Sequence, residues 1–190
     1  MPPVAVGFIG AGFSASLHAH ALRSVHGIDV RLAAVTATRP ERAADFARRH
    51  GVAAVHASWQ DLLADPAIDA VCLCVPTAMH AHIAIAAARA GKHVICEKPL
   101  TGAFGGRQDG ATASIERERA LESVEAVRTA VAQSGVLFLY AENWVYAPAM
   151  AKTKRLIGLA RGAVLDIRAE ESHSGSHAAR TRRRETAGGG

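Results

Sequence analysis

One hundred and ninety residues, 49% of them hydrophobic and 21% charged, suit one domain or one domain and part of a second, with enough apolar material for a sizeable core. No apolar run reaches the ~18 to 20 residues that cross a bilayer, and the N-terminus MPPVAVGFIGAG has no basic, cleavable leader pattern, which predicts a cytoplasmic protein with no membrane partner. Arg180, Arg182, Arg183 and Arg184 with Glu185 supply three units of the net charge of +5, and with no aromatic residues between them they read as a solvated tail, so no nucleic-acid partner is expected.

The chain opens with Val4 to Ile9, a short apolar run of the kind buried on both faces of a parallel sheet. It runs into Gly10-Ala11-Gly12-Phe13-Ser14-Ala15, a G-x-G-x-x-A turn, and then a helical stretch from Ser16 to about Val25. Glycines there allow a tight turn and close backbone approach to a pyrophosphate, which rests on the N–H groups opening the helix. Alone the motif says little. Its context raises its weight, because a strand precedes it, a helix follows, and a second strand, Val30 to Thr36, arrives at the expected distance.

Pro40 then stands in the first turn of a helix reaching His50, with Gly51 placed to end it. Val52 to Val55 makes a brief third strand, and Ser58-Trp59-Gln60-Asp61 has the form of a capping box opening a short helix that Pro66 closes. A fourth strand, Asp69 to Val75, stops at Pro76, and Met79 to Ala90 is an alanine-rich helix. The fifth strand, from His93 to Cys96, meets Glu97-Lys98-Pro99, where proline forbids continuation and leaves the lysine at the strand's carboxyl end. Residues 101–114 read as a surface loop. Leu121, Val124, Val127 and Val131 restore helical periodicity, and Val136 to Tyr140 is a sixth strand leading to Asn143. After Pro148 come a basic amphipathic helix to about Ala160 and a strand-like stretch, Ala163 to Ala169.

Strands alternating with helices at this pitch predict an α/β fold with a doubly wound parallel sheet, the Rossmann fold, over 1–146. Residues 147–190 are then the incomplete start of an α+β substrate domain, too short to bury a core alone. Cys72, Cys74 and Cys96 lie in apolar runs where a reduced thiol acts as a small hydrophobe. C-x-C on a strand is not the usual loop spacing of a metal site, so no metal is expected. His173 and His177 sit four apart on a Ser/Gly loop, where spacing fixes little geometry, and His18 and His20 default to packing or surface roles on the first helix.

Gly10-Ala11-Gly12, then Val75-Pro76-Thr77-Ala78-Met79-His80, Glu97-Lys98-Pro99-Leu100 and Ala141-Glu142-Asn143 occur in an order that resembles the glucose–fructose oxidoreductase, inositol dehydrogenase and rhizopine-catabolism (Gfo/Idh/MocA) family. The resemblance implies an NAD(P)-dependent oxidoreductase that moves a hydride between nicotinamide and a hydroxyl or carbonyl carbon of a sugar, inositol or similar polyol. It casts Lys98 as the residue that binds the reacting oxygen and passes its proton, and partial burial would suit that role. Glu97 orients the lysine or lines the nicotinamide pocket. His80 is implied as a second catalytic residue near the nicotinamide, with a structural role nearly as good an account. Pro76, Thr77 and Asn143 fall where the family meets the cofactor, beside Gly10, Gly12, Phe13 and Ser14 of the glycine turn.

NAD-specific members place an acid after the second strand, where this chain has Ala37. Thr38 and Arg39 are placed to hold a 2′-phosphate, which favours NADP over NAD. Family members continue past a glycine-rich segment like Gly188-Gly189-Gly190 with an Asp and a His that complete the lysine's site, so the sequence reads as truncated. A homo-oligomer is expected of a full-length protein. The alternative is a nucleotide-binding protein without turnover.

Overall fold

The computed structural model describes residues 2–102, 113–160, 162–168 and 170. Six strands, β1 (Val4–Ile9), β2 (Val30–Thr36), β3 (Ala54–Val55), β4 (Ala70–Leu73), β5 (His93–Glu97) and β6 (Phe138–Ala141), form one sheet in the order β3-β2-β1-β4-β5-β6. Every pairing is parallel. Order reverses beside β1, which pairs with β2 on one side and β4 on the other. Such a switch point opens a crevice at the carboxyl ends of the strands.

Both sheet faces are covered, which is why the strands are apolar throughout and not alternating. Val6, Phe8, Leu32, Val35 and Cys72 pack with Ala15 and Ala19 of α1 (Phe13–Leu22) and Phe46 of α2 (Pro40–His50). On the opposite face Ala5, Ile9, Val71, Leu73, Val94 and Cys96 meet α3 (Trp59–Ala64), α4 (His80–Arg89) and α5 (Ala113–Ser134), through Leu62, Ile83 and Val127 among others. The β4 side chains therefore alternate, and Cys72 faces the α1 side.

Local signals set the helix ends. Ser58 caps α3 by accepting a 3.0 Å hydrogen bond from the Asp61 N–H. Gly51, at φ 53°, ends α2. Lys92 is an unannounced brace: its Nζ donates to the Asp65 and Ile68 carbonyls, each at 2.8 Å, tying the loop before β4 to the start of β5.

Several boundaries differ from the sequence expectation. Helix α1 starts at Phe13 and ends at Leu22, because Gly12 serves as its N-cap and the motif's later residues form its first turn. A 3-10 turn, Thr77–Met79, precedes α4. Leu121 is 54% exposed, so the buried face of α5 begins with Val124 and centres on Val127 and Ala130. Helix α6 (Pro148–Ala160) forms as expected but buries no residue. The expected strand at Ala163 to Ala169 is absent over the described residues 163–168, where no described strand offers a ladder to join. His173, His177, the arginine cluster and most of the loop at 101–114 lie outside the described residues. No described helix is long and apolar enough to cross a membrane.

Candidate functional site

At the carboxyl edge of the sheet a cleft of about 1480 Å³ lies over the switch point. Its floor is built where β1 stops. Gly10 takes φ +107°, and its backbone is so close to the end of β4 that a Cβ there would stand 2.7 Å from the Cys74 carbonyl carbon. A Cβ on Gly12 would meet nothing within 4 Å. Gly12 caps α1 with no side-chain hydrogen bond and no acid occupies the helix's first turn, so the N–H groups opening α1 face the cleft without a protein carboxylate on them.

Gly10, Gly12, Phe13, Ser14, Thr38, Arg39, Pro76, Thr77, Glu97, Lys98 and Asn143 all line this one cleft. They come from the ends of five strands, so the fold brings together what the sequence scatters over more than a hundred positions. Arg39 precedes α2 and lies 3.8 Å from Glu41, and Arg42, one turn on, lines the same wall. Asn143 opens a 3-10 turn, Asn143–Tyr146, beyond β6.

Two residues behave otherwise than the sequence suggests. His80 does not line the cleft. It is 1% exposed, with Nδ1 2.9 Å from the Pro99 carbonyl and Nε2 3.0 Å from the Val75 carbonyl. Its ring is a strut between two turns, and its neutral form has one N–H to donate at a time. A catalytic role would need a ring nitrogen directed at the cleft, and both ring nitrogens here meet backbone carbonyls instead. Lys98 is exposed on the cleft rim, without the burial expected of it, and its Nζ makes no hydrogen bond among the described residues. The Lys98–Pro99 peptide is cis.

His18 is the residue that sequence reasoning missed. Its Nε2 lies 2.8 Å from Glu97 Oε1, and the other carboxylate oxygen accepts the Lys98 N–H at 3.1 Å. Glu97 is thus held from both sides immediately before the lysine. The bond from His18 is the main cause holding the Glu97 carboxyl below its ordinary value against burial, and the same bond raises the His18 imidazole. A signal existed: Ser14, His18, Ala21 and Val25 all line the cleft at helical spacing, visible once α1 is started at Phe13. Next to His18, the Cys72 and Cys74 sulfurs lie 3.6 Å apart. The Cys72 thiol, with nearby His18 and Ser14, lowers the Cys74 thiol, whereas the same pairing and burial push Cys72 up. Cys96 is pushed up to about 12, chiefly by burial.

A dinucleotide fits these residues. The glycine turn leaves room for a pyrophosphate over the α1 N-terminus, and Arg39 and Lys98 both line the same cleft. A six-stranded parallel sheet of this order, with a glycine turn after β1 and its cleft at the switch point, defines a dinucleotide-binding Rossmann domain. The family model described as an oxidoreductase family with NAD-binding Rossmann fold matches residues 4–134, and the chain belongs to that family, Gfo/Idh/MocA.

Among its relatives, levoglucosan dehydrogenase of Pseudarthrobacter phenanthrenivorans is 34% identical over 159 residues, covering 80% of this chain and 36% of that protein. Myo-inositol 2-dehydrogenase of Thermotoga maritima is 36% identical over 96 residues, or 50% of this chain and 28% of that one. A solved levoglucosan dehydrogenase in complex with NADH and L-sorbose superposes with a TM-score of 0.71 at 32% identity, covering 84% of this chain and 40% of that structure. The chain therefore spans well under half the length of the relatives it matches.

Proposed function

We propose that this chain is the dinucleotide-binding part of an NAD(P)-dependent dehydrogenase acting on a sugar, inositol or related polyol. The observation that carries the proposal is the single cleft that joins the glycine turn and the free N-terminus of α1 to Lys98. Relatives named for levoglucosan and myo-inositol support the substrate class. A bound nicotinamide dinucleotide supplies the acceptor or donor of the hydride.

The chain's own residues do the rest. The backbone N–H groups of α1 hold the pyrophosphate, while Pro76, Thr77 and Asn143 bound the nicotinamide end. In reduction the Lys98 ammonium donates a hydrogen bond to the substrate carbonyl oxygen, stabilises the negative charge that develops there and delivers its proton to it; in oxidation the same group, as the neutral amine, takes the hydroxyl proton while the hydride leaves the carbon. Glu97, anchored by His18, fixes the backbone from which that lysine projects. Residues 147–190 begin the substrate domain, and the full protein associates with itself.

Titration of NADPH and NADH against the chain, followed by nicotinamide fluorescence, is expected to show tighter NADPH binding, with the preference erased in Arg39→Ala. A guanidinium–phosphate contact is worth about 1.5–3 kcal/mol, or roughly ten- to a hundredfold in affinity. Equal or tighter NADH binding would sink the NADP assignment. In a panel of polyols with NADP, Lys98→Ala should lower turnover by about a hundredfold or more while leaving NADPH affinity unchanged. Lys98, exposed and with no side-chain hydrogen bond among the described residues, favours a second reading, a nucleotide-binding protein without turnover. Cofactor binding with no rate on any polyol would select it.

A further inference from the structure

We propose that His18, Cys72 and Cys74 form a site for a thiophilic divalent cation of the zinc class. Cys72 and Cys74 are two apart along β4 and its extension, so both side chains fall on the α1 side of the sheet, and α1 lays His18 across them. One ligand atom from each of the three residues lies within 4.8 Å of the other two. The Sγ–Sγ separation is 3.6 Å. A zinc–sulfur bond of ~2.3 Å in a tetrahedral site places two thiolates about 3.8 Å apart, so the strand already presents one edge of the tetrahedron.

Glu97 strengthens the case. Its Oε1, 2.8 Å from His18 Nε2, backs the imidazole as carboxylates commonly do behind a metal-bound histidine, which leaves the ring's other nitrogen for the ion. Zinc binds thiolates, so both cysteines give up a proton on coordination. Cys72 is fully buried, which excludes most competing ligands from the inner side, while Cys74, His18 and Glu97 open onto the cleft and give the ion its entry path. The sequence spacing C-x-C alone does not reveal this site, because its third ligand is more than fifty residues away.

The test is a cobalt(II) titration of the reduced, chelator-treated 190-residue chain. We expect thiolate-to-cobalt charge-transfer absorption that saturates at one ion per chain, is displaced by zinc, is lost in Cys74→Ser and Cys72→Ala, and persists in Cys96→Ala. In the unsubstituted chain, zinc should protect Cys74 from iodoacetamide, as read by peptide mass spectrometry. Absence of the thiolate band, its survival in both substituted chains, or unchanged Cys74 alkylation would overturn the site. Added NADH is expected to shift the titration to higher cobalt, since the two share the cleft. That arm rests on the dinucleotide reading: thiolate coordination without the shift upholds the metal site and counts against the cofactor placement.

Discussion

Gly10→Ala is expected to destabilise the chain by about 3–4 kcal/mol and to abolish dinucleotide binding. Two independent terms add. A side chain at φ +107° costs roughly 1–3 kcal/mol in backbone strain. The new methyl would also be forced into the carbonyl group of Cys74, and overpacking against backbone, which cannot rotate away, costs a further ~1–3 kcal/mol. Urea unfolding followed by circular dichroism measures the first effect. A loss of less than about 1 kcal/mol would show that the β1 and β4 termini are not packed as closely as described.

Gly12→Ala separates folding from binding at the same turn. A Cβ there meets nothing within 4 Å, so stability should fall by no more than ~1 kcal/mol, the scale of replacing a glycine N-cap by alanine. The methyl nevertheless stands in the cleft where a pyrophosphate must approach the α1 N–H groups. Losing one such charge-assisted contact weakens NADPH by about tenfold or more. The two glycines thus serve different masters: the first lets two strand ends meet, the second leaves room for a ligand.

How much of this was legible in the sequence follows from whether each feature is local. The strands are continuous apolar runs and Ser58 carries its cap partner three residues away, so both can be read in a short window. The glycine turn and the E-K-P stop likewise announce themselves by local backbone chemistry, and the parallel sheet then gathers them at one edge. What escaped is set by pairing across distance. Glu97 meets His18 79 positions away, and no window holds both. The α1 boundary compounded the loss: starting the helix at Ser16 hides that Ser14 and His18 share a face. Lys92 has nothing in its own stretch of sequence to mark it, yet it donates to two carbonyls from another loop. Ala163 to Ala169 has strand composition, but a strand exists only where a neighbour completes its ladder.

His80 is the converse case, a residue with two readings in the sequence whose packing is that of a strut. His80→Ala should cost about 3–5 kcal/mol, because it opens a cavity the size of a ring and removes the N–H that one of the Val75 and Pro99 carbonyls accepts in a dry interior. His80→Phe refills the space without the N–H and should recover part of the loss, leaving ~1–3 kcal/mol for the carbonyl deprived of its donor. Both turns that we propose flank the nicotinamide, Val75-Pro76-Thr77 and Lys98-Pro99, contact this ring. NADPH binding should therefore weaken in the phenylalanine variant even where it is fully folded. A directly catalytic histidine predicts the reverse, turnover lost with stability and cofactor affinity intact. Unfolding curves and NADPH titrations on the two variants decide between them, and stability within about 1 kcal/mol of the parent in His80→Ala would end the case for a strut.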